Sequence, residues 1–131
     1  MAGYRVLIVE DSSIYRNLLK ETLLSRFPSM EIIEATNGQQ ALQKISSTCP
    51  DFIFMDIKLP GENGLELTRR IKADSPQMII IILTSYDLPE YREAASQYGA
   101  NYFLSKGSTT KEDILGLVQS ILSERKIDLN N

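Results

Sequence analysis

Asp51-Phe52-Ile53-Phe54-Met55-Asp56-Ile57-Lys58-Leu59-Pro60-Gly61 is the stretch whose reading decides the fold. Four apolar residues, Phe52 to Met55, end abruptly in a carboxylate. The chain then turns through Leu59-Pro60-Gly61-Glu62-Asn63-Gly64. So short a run, bounded by turn residues, reads as a strand covered on both faces rather than as a buried helix. The acid that ends it then sits at the rim of a sheet, and open parallel sheets gather ligands and chemistry at the carboxyl ends of their strands. Asp56 is therefore the point from which the rest of the chain is read.

Before it, Tyr4 to Val9 forms a β-branched strand that stops at Glu10-Asp11, with Ser12-Ser13 as helix N-caps. Ile14, Leu18, Leu19, Leu23 and Phe27 recur three to five apart, the spacing of an amphipathic helix that ends before Pro28. Glu31 to Ala35 is a second strand. Thr36 to Gln39 carries a capping-box pattern, and Ala41, Leu42 and Ile45 mark the helix behind it. After the central strand, Leu65, Thr68 and Ile71 line a third helix that ends near Ala73. Met78 to Leu83 is the most apolar run and ends in Thr84-Ser85. Pro89 opens a fourth helix that runs to about Tyr98, with Gly99 as its C′ residue. Ala100 to Ser105 is a fifth strand and ends in Lys106-Gly107. Thr109/Thr110 with Glu112/Asp113 cap a last helix striped by Ile114, Leu117, Val118, Ile121 and Leu122. Ile127 to Asn131 reads as a frayed tail.

Five strand–helix pairs in strict alternation predict an α/β fold, a parallel sheet with helices on both faces. The 131 residues fit one domain, 1–131, with its core at 4–125 and a short tail at 126–131, and 43% hydrophobic content supplies one core. No membrane span and no signal peptide are expected, and the chain reads as cytoplasmic. The single Cys49 excludes an internal disulfide. The absence of histidine excludes Ser-His or Cys-His catalysis and His-ligated metals. A net charge of −3 without a Lys/Arg block argues against direct nucleic-acid binding by this chain.

At the strand ends the residues form a chemical set. Strand one offers Glu10 and Asp11, strand three Asp56, strand four Thr84-Ser85 and strand five Lys106. Two charges about 4 Å apart repel by roughly 4 kcal/mol at an effective dielectric of 20, so three neighbouring carboxylates call for raised pKa values or a bound cation. Hard oxygen donors suit Mg²⁺. With a lysine and a hydroxyl opposite, the set answers the needs of a phosphoryl group, which Asp56 can accept as an acyl phosphate.

Together, Val9-Glu10-Asp11, Met55-Asp56-Ile57, Leu59-Pro60-Gly61, Asn63-Gly64, Leu83-Thr84-Ser85 and Ser105-Lys106 resemble the receiver domain of two-component response regulators from about Tyr4 to Arg125. The resemblance implies a flavodoxin-like (βα)5 doubly wound sheet of order 2-1-3-4-5. It implies that Asp56 takes phosphate from a sensor histidine kinase or a phosphotransfer protein. Glu10, Asp11, Asp56 and the backbone carbonyl of Lys58 would hold Mg²⁺, while Lys106 and Thr84 bind the phosphoryl group. Thr84 and Phe103 would act as the switch, and Lys58 and Tyr86 would tune how fast water removes the phosphate. The face of helix four, strand five and helix five would then meet an output domain, a target protein or a second copy of the chain. Gly107 stands where the family commonly has proline, and Phe103 where tyrosine is frequent. Gly107 and Thr84-Ser85-Tyr86-Asp87 look like receivers attached to LuxR-type helix-turn-helix domains.

Two other classes compete. A haloacid-dehalogenase-like phosphatase resembles Asp-x-Asp at its nucleophile, and Lys58 in the second position argues against turnover. A flavodoxin-like cofactor site needs a hydroxyl- and glycine-rich loop where this chain has Glu10-Asp11-Ser12-Ser13. A receiver-shaped domain that signals without phosphate is the remaining alternative. Tyr91, Tyr98 and Tyr102 read as surface or packing residues, and Met55 and Met78 as core. No output module follows the fifth helix here, so the expectation is a stand-alone receiver or a receiver from a longer regulator.

Overall fold

A computed structural model describes residues 3–130, with side chains described through residue 124. The strands and helices alternate as β1 (Arg5–Val9), α1 (Ser13–Arg26), β2 (Glu31–Ala35), α2 (Gly38–Thr48) and β3 (Phe52–Met55). After two short strands, β4 (Lys58–Leu59) and β5 (Glu62–Asn63), come α3 (Gly64–Asp74), β6 (Ile79–Thr84), α4 (Pro89–Gln97), β7 (Tyr102–Ser105) and α5 (Lys111–Asn130). The main sheet runs β2-β1-β3-β6-β7, and every pair in it is parallel. Counted by its own five strands this is the order 2-1-3-4-5, a flavodoxin-like doubly wound sheet.

Alternation along each strand sends side chains to two separate layers. Leu7, Val9, Ile53, Met55, Ile80 and Ile82 pack on one face with Ala41 of α2, Leu65, Leu67 and Ile71 of α3 and Ala95 of α4. Val6, Ile8, Phe52, Phe54, Ile81 and Leu83 pack on the other, against Leu19 and Leu23 of α1 and Ile114, Val118 and Ile121 of α5. All four residues of β3 are buried, as a strand covered on both faces requires. The Phe52 and Phe54 rings meet edge-on, with centroids 6.0 Å apart.

Several local expectations need correction. The α1 stripe is rotated: Ile14 is 82% and Leu18 41% exposed, and the buried positions are Leu19, Thr22 and Leu23. Thr22 tolerates burial because its hydroxyl donates to the Leu18 carbonyl at 2.8 Å. The cap of α2 is Asn37 rather than Thr36. Asn37 Oδ1 accepts from Gln40 N–H at 2.8 Å, while Gln40 Oε1 accepts from Thr36 N–H at 2.8 Å. The fifth sheet strand starts at Tyr102; just ahead of it Asn101 meets Ile80, near the start of β6, by both backbone and side chain, its N–H donating to Ile80 O at 2.9 Å and its Oδ1 accepting from Ile80 N–H at 2.9 Å. The expected tail continues α5 to Asn130, and Asn131 lies outside the described residues.

Other signals hold. Ser12 caps α1, and Thr110 and Asp113 cap each other at the start of α5. Gly99, at φ 95°, follows α4 in the left-handed region that favours glycine. No cis peptide bond occurs among the described residues. No described helix is long and apolar enough to cross a membrane.

Candidate functional site

Register brings the strand ends level. Val9 pairs with Met55, Met55 with Ile82, and Thr84 with Ser105. The ladder then continues one residue past each strand. Glu10 N–H donates to Ala35 O at 3.0 Å, Asp56 N–H to Val9 O at 3.1 Å, and Lys106 N–H to Thr84 O at 2.8 Å. The functional side chains therefore leave a backbone already fixed by the sheet.

The loop after Asp56 is held as closely. Gly64 N–H donates to Ile57 O at 2.7 Å, and Lys58 and Leu59 pair with Asn63 and Glu62 in a two-residue antiparallel ladder. The α-carbon of Gly64 comes so near this backbone that an added Cβ would lie 1.9 Å from the Asp56 carbonyl oxygen. Only glycine fits there.

Glu10 is 4% exposed, Asp56 7%, and Asp11 lies in solvent. One carboxylate oxygen from each falls within 4.8 Å of the others. Lys106 Nζ bonds Glu10 Oε1 and lies 3.2 Å from Asp56 Oδ2. Glu10 Oε2 accepts from Ser12 N–H at 3.0 Å, and Asp56 Oδ1 from Ile57 N–H at 2.7 Å.

Burial pushes the Glu10 carboxyl above its ordinary range. The Lys106 ammonium and Ser12 N–H oppose that shift, and the Asp56 charge adds to it. Burial alone would lower the Lys106 ammonium, but the hydrogen bond to Glu10 and the charge of Asp56 outweigh burial and raise it. Three carboxylates against one ammonium leave a site of net negative charge built from hard oxygen donors, the chemistry that fits a small divalent cation.

Thr84 is fully buried; its carbonyl binds Lys106 N–H, and its hydroxyl accepts from Tyr86 N–H at 3.2 Å. Lys58 and Tyr86 meet, with the ammonium 5.2 Å from the ring centroid. Phe103 stands apart from the carboxylates. It packs partly buried on the α2–α3–α4 side with the Arg92 guanidinium 4.7 Å from its ring centroid.

Two participants were not foreseen. The Lys106 ammonium lies 4.2 Å from the centroid of Tyr15, and burial raises the Tyr15 phenol. Arg16 donates to the Glu10 carbonyl at 2.8 Å. Both belong to the first turn of α1, and no motif marks them.

Fold and site together define a doubly wound α/β domain with an acid-and-lysine cluster at the carboxyl rim of its sheet. The model of the response regulator receiver domain matches residues 6–119, and the chain belongs to that family. It is 38% identical over 110 residues to a protein-glutamate methylesterase/protein-glutamine glutaminase of Geobacillus kaustophilus, which covers 82% of this chain and 31% of that protein. The chain thus spans about a third of the length of this curated relative. A CheY-like receiver domain from Methanospirillum hungatei superposes with a TM-score of 0.86 at 27% identity, over 96% of this chain and 98% of that one. A LuxR-family two-component response regulator from Aurantimonas gives 0.82 at 28% identity, over 93% and 86%. Membership of the family carries phosphorylation-dependent signalling as the general activity.

Proposed function

We propose that the chain is a single receiver domain over residues 1–131 whose switch is set by a phosphoryl group on Asp56. The observation that carries this reading is one carboxylate, Asp56, at the end of the central strand, within 4.8 Å of two other acids and 3.2 Å from the Lys106 ammonium. In the step proposed, an Asp56 carboxylate oxygen attacks the phosphorus of a phosphohistidine on a sensor histidine kinase or phosphotransfer protein. The P–N bond breaks, and the departing imidazole keeps its electron pair. Exposed Ile14 and Leu18, on the first turns after Asp11, offer that donor apolar surface to dock on.

Glu10, Asp11, Asp56 and the Lys58 carbonyl would hold Mg²⁺, which when bound neutralises phosphoryl oxygens. Lys106 supplies a second positive charge, 3.2 Å from Asp56 Oδ2. Thr84 turns its hydroxyl to the new oxygens, and Phe103 follows, which alters the α4–β7–α5 face. That face binds a second copy, a target protein or an output domain; the likeness to LuxR-family regulators favours a DNA-binding output for a longer chain. Lys58 stands where a phosphatase of the haloacid-dehalogenase type has its second acid, so the domain acts as a switch rather than a turnover enzyme. It is placed in the cytoplasm, where such kinases present their phosphohistidine.

Intact mass after incubation with a small acyl phosphate and Mg²⁺ tests the reading. One added phosphoryl group is expected, absent in Asp56→Asn and in the presence of a chelator. An unchanged mass, or equal labelling of Asp56→Asn, overturns it.

A further inference from the structure

The β3–α3 connection, the β6–α4 connection and the first turn of α4 meet at one cation. Lys58 leaves the chain two residues after Asp56, with fully buried Ile57 between them. Its ammonium lies 5.2 Å from the ring centroid of Tyr86 and 5.8 Å from that of Tyr91. Both fall within the range at which an aromatic face attracts a cation. Tyr86 follows Thr84 by two residues and donates its N–H to the Thr84 hydroxyl. Tyr91 belongs to α4, and its ring joins the apolar layer under that helix.

We propose that Tyr91 is a positioning residue for the Lys58 ammonium, in competition with a phosphoryl group on Asp56. With Tyr86 it holds the Lys58 ammonium on aromatic faces, and phosphorylation draws that ammonium off the rings toward the new phosphoryl oxygens. The proposal rests on the reading of Asp56 as phosphoacceptor. An aromatic face offers a cation a weak quadrupolar attraction, whereas a phosphoryl group offers nearly two full negative charges and strong acceptor oxygens. The two sites compete for one ammonium. A phosphoryl group can shift the equilibrium only by its preference for the released state. By reciprocity, whatever stabilises the ring-bound state weakens the affinity for the phosphoryl group.

Release also acts on α4. Tyr91 is followed by Arg92, whose guanidinium is held by Asp87 at 2.5 and 3.1 Å and lies over Phe103. When Lys58 leaves, the first turn of α4 loses an anchor beside the residue that covers Phe103.

Beryllofluoride with Mg²⁺ on the intact chain is the probe. In the free protein the ε-protons of Lys58 are expected upfield of those of a solvated lysine, shifted by the ring currents of Tyr86 and Tyr91. They move toward the solvated value as beryllofluoride binds. Tyr91→Leu, which keeps an apolar side chain under α4, should bind beryllofluoride about two- to fivefold more tightly, the weight of one exposed cation–π contact. Tyr91→Phe keeps the ring and should match wild type. In a Lys58→Met background, Tyr91→Leu should change nothing.

Unshifted Lys58 protons in the free protein overturn the proposal. So does a Tyr91→Leu affinity equal to wild type, or the same gain with and without Lys58. A wild type that takes up no beryllofluoride overturns the phosphoacceptor reading itself, and this proposal with it.

Discussion

Lys106 is the residue on which the acidic rim depends most. Its ammonium bonds Glu10, approaches Asp56 and lies on Tyr15, and its side chain is only 14% exposed. Lys106→Met leaves two buried carboxylates facing each other without a counter-charge. Removing one partner of a buried ion pair costs roughly 3 kcal/mol or more. A loss of that order is expected in urea unfolding of the metal-free protein, with part of it recovered on adding Mg²⁺. The sign with pH follows from the raised ammonium. Its stabilisation is complete below the ordinary lysine value of 10.5 and is lost as pH rises through the higher folded value. The gap between wild type and Lys106→Met should therefore close at alkaline pH. A gap that stays constant through that range would place the stabilisation in packing by the lysine stem.

The β3–α3 connection is the element that fixes Asp56, and Gly64 is where it is closed. Gly64→Ala drives a methyl group into the Asp56 carbonyl, so the loop backbone must shift. A destabilisation on the order of 3 kcal/mol is expected in urea unfolding. Asp56 phosphorylation should slow as well, because its backbone moves with the loop. The sequence displayed this element well, since a strand end, a turn and a cap all write themselves in residue type. Asp56, Thr84 and Lys106 were legible for the same reason: each follows an apolar run. What stayed hidden depended on direction and distance. Glu10 and Lys106 are 96 residues apart, and nothing in residue type says that they touch. Tyr15, Arg16 and Tyr91 look like ordinary helix residues until the turns that carry them are placed. The buried face of α1 escapes hydrophobic spacing because Thr22 satisfies its hydroxyl within the helix. The fifth strand is two residues shorter than its apolar run suggests, and Asn101 ahead of it meets Ile80 by backbone and side chain together.

At the scale of the whole molecule, the central strand β3 stands between β1 on one side and β6 and β7 on the other. Glu10, Asp11 and Tyr15 belong to the β1–α1 region, whereas Thr84, Tyr91, Arg92 and Phe103 belong to β6, α4 and β7. Thr84→Ala is expected to take a phosphoryl group on Asp56 yet fail to pass it on. Amide hydrogen exchange across α4, β7 and α5 should change on phosphorylation in wild type and stay flat in the variant. Equal changes in both would remove Thr84 from the coupling. The long sequence separation inside the site also bears on the protein's birth. Asp56 and Lys106 are 50 residues apart, and the lysine directly follows β7, the edge strand of the sheet. A nascent chain that has not yet delivered Lys106 carries the Asp56 carboxylate without that counter-ion. On the proposed reading of Asp56, readiness to accept a phosphoryl group would arrive only once β7 and the lysine behind it have joined the sheet.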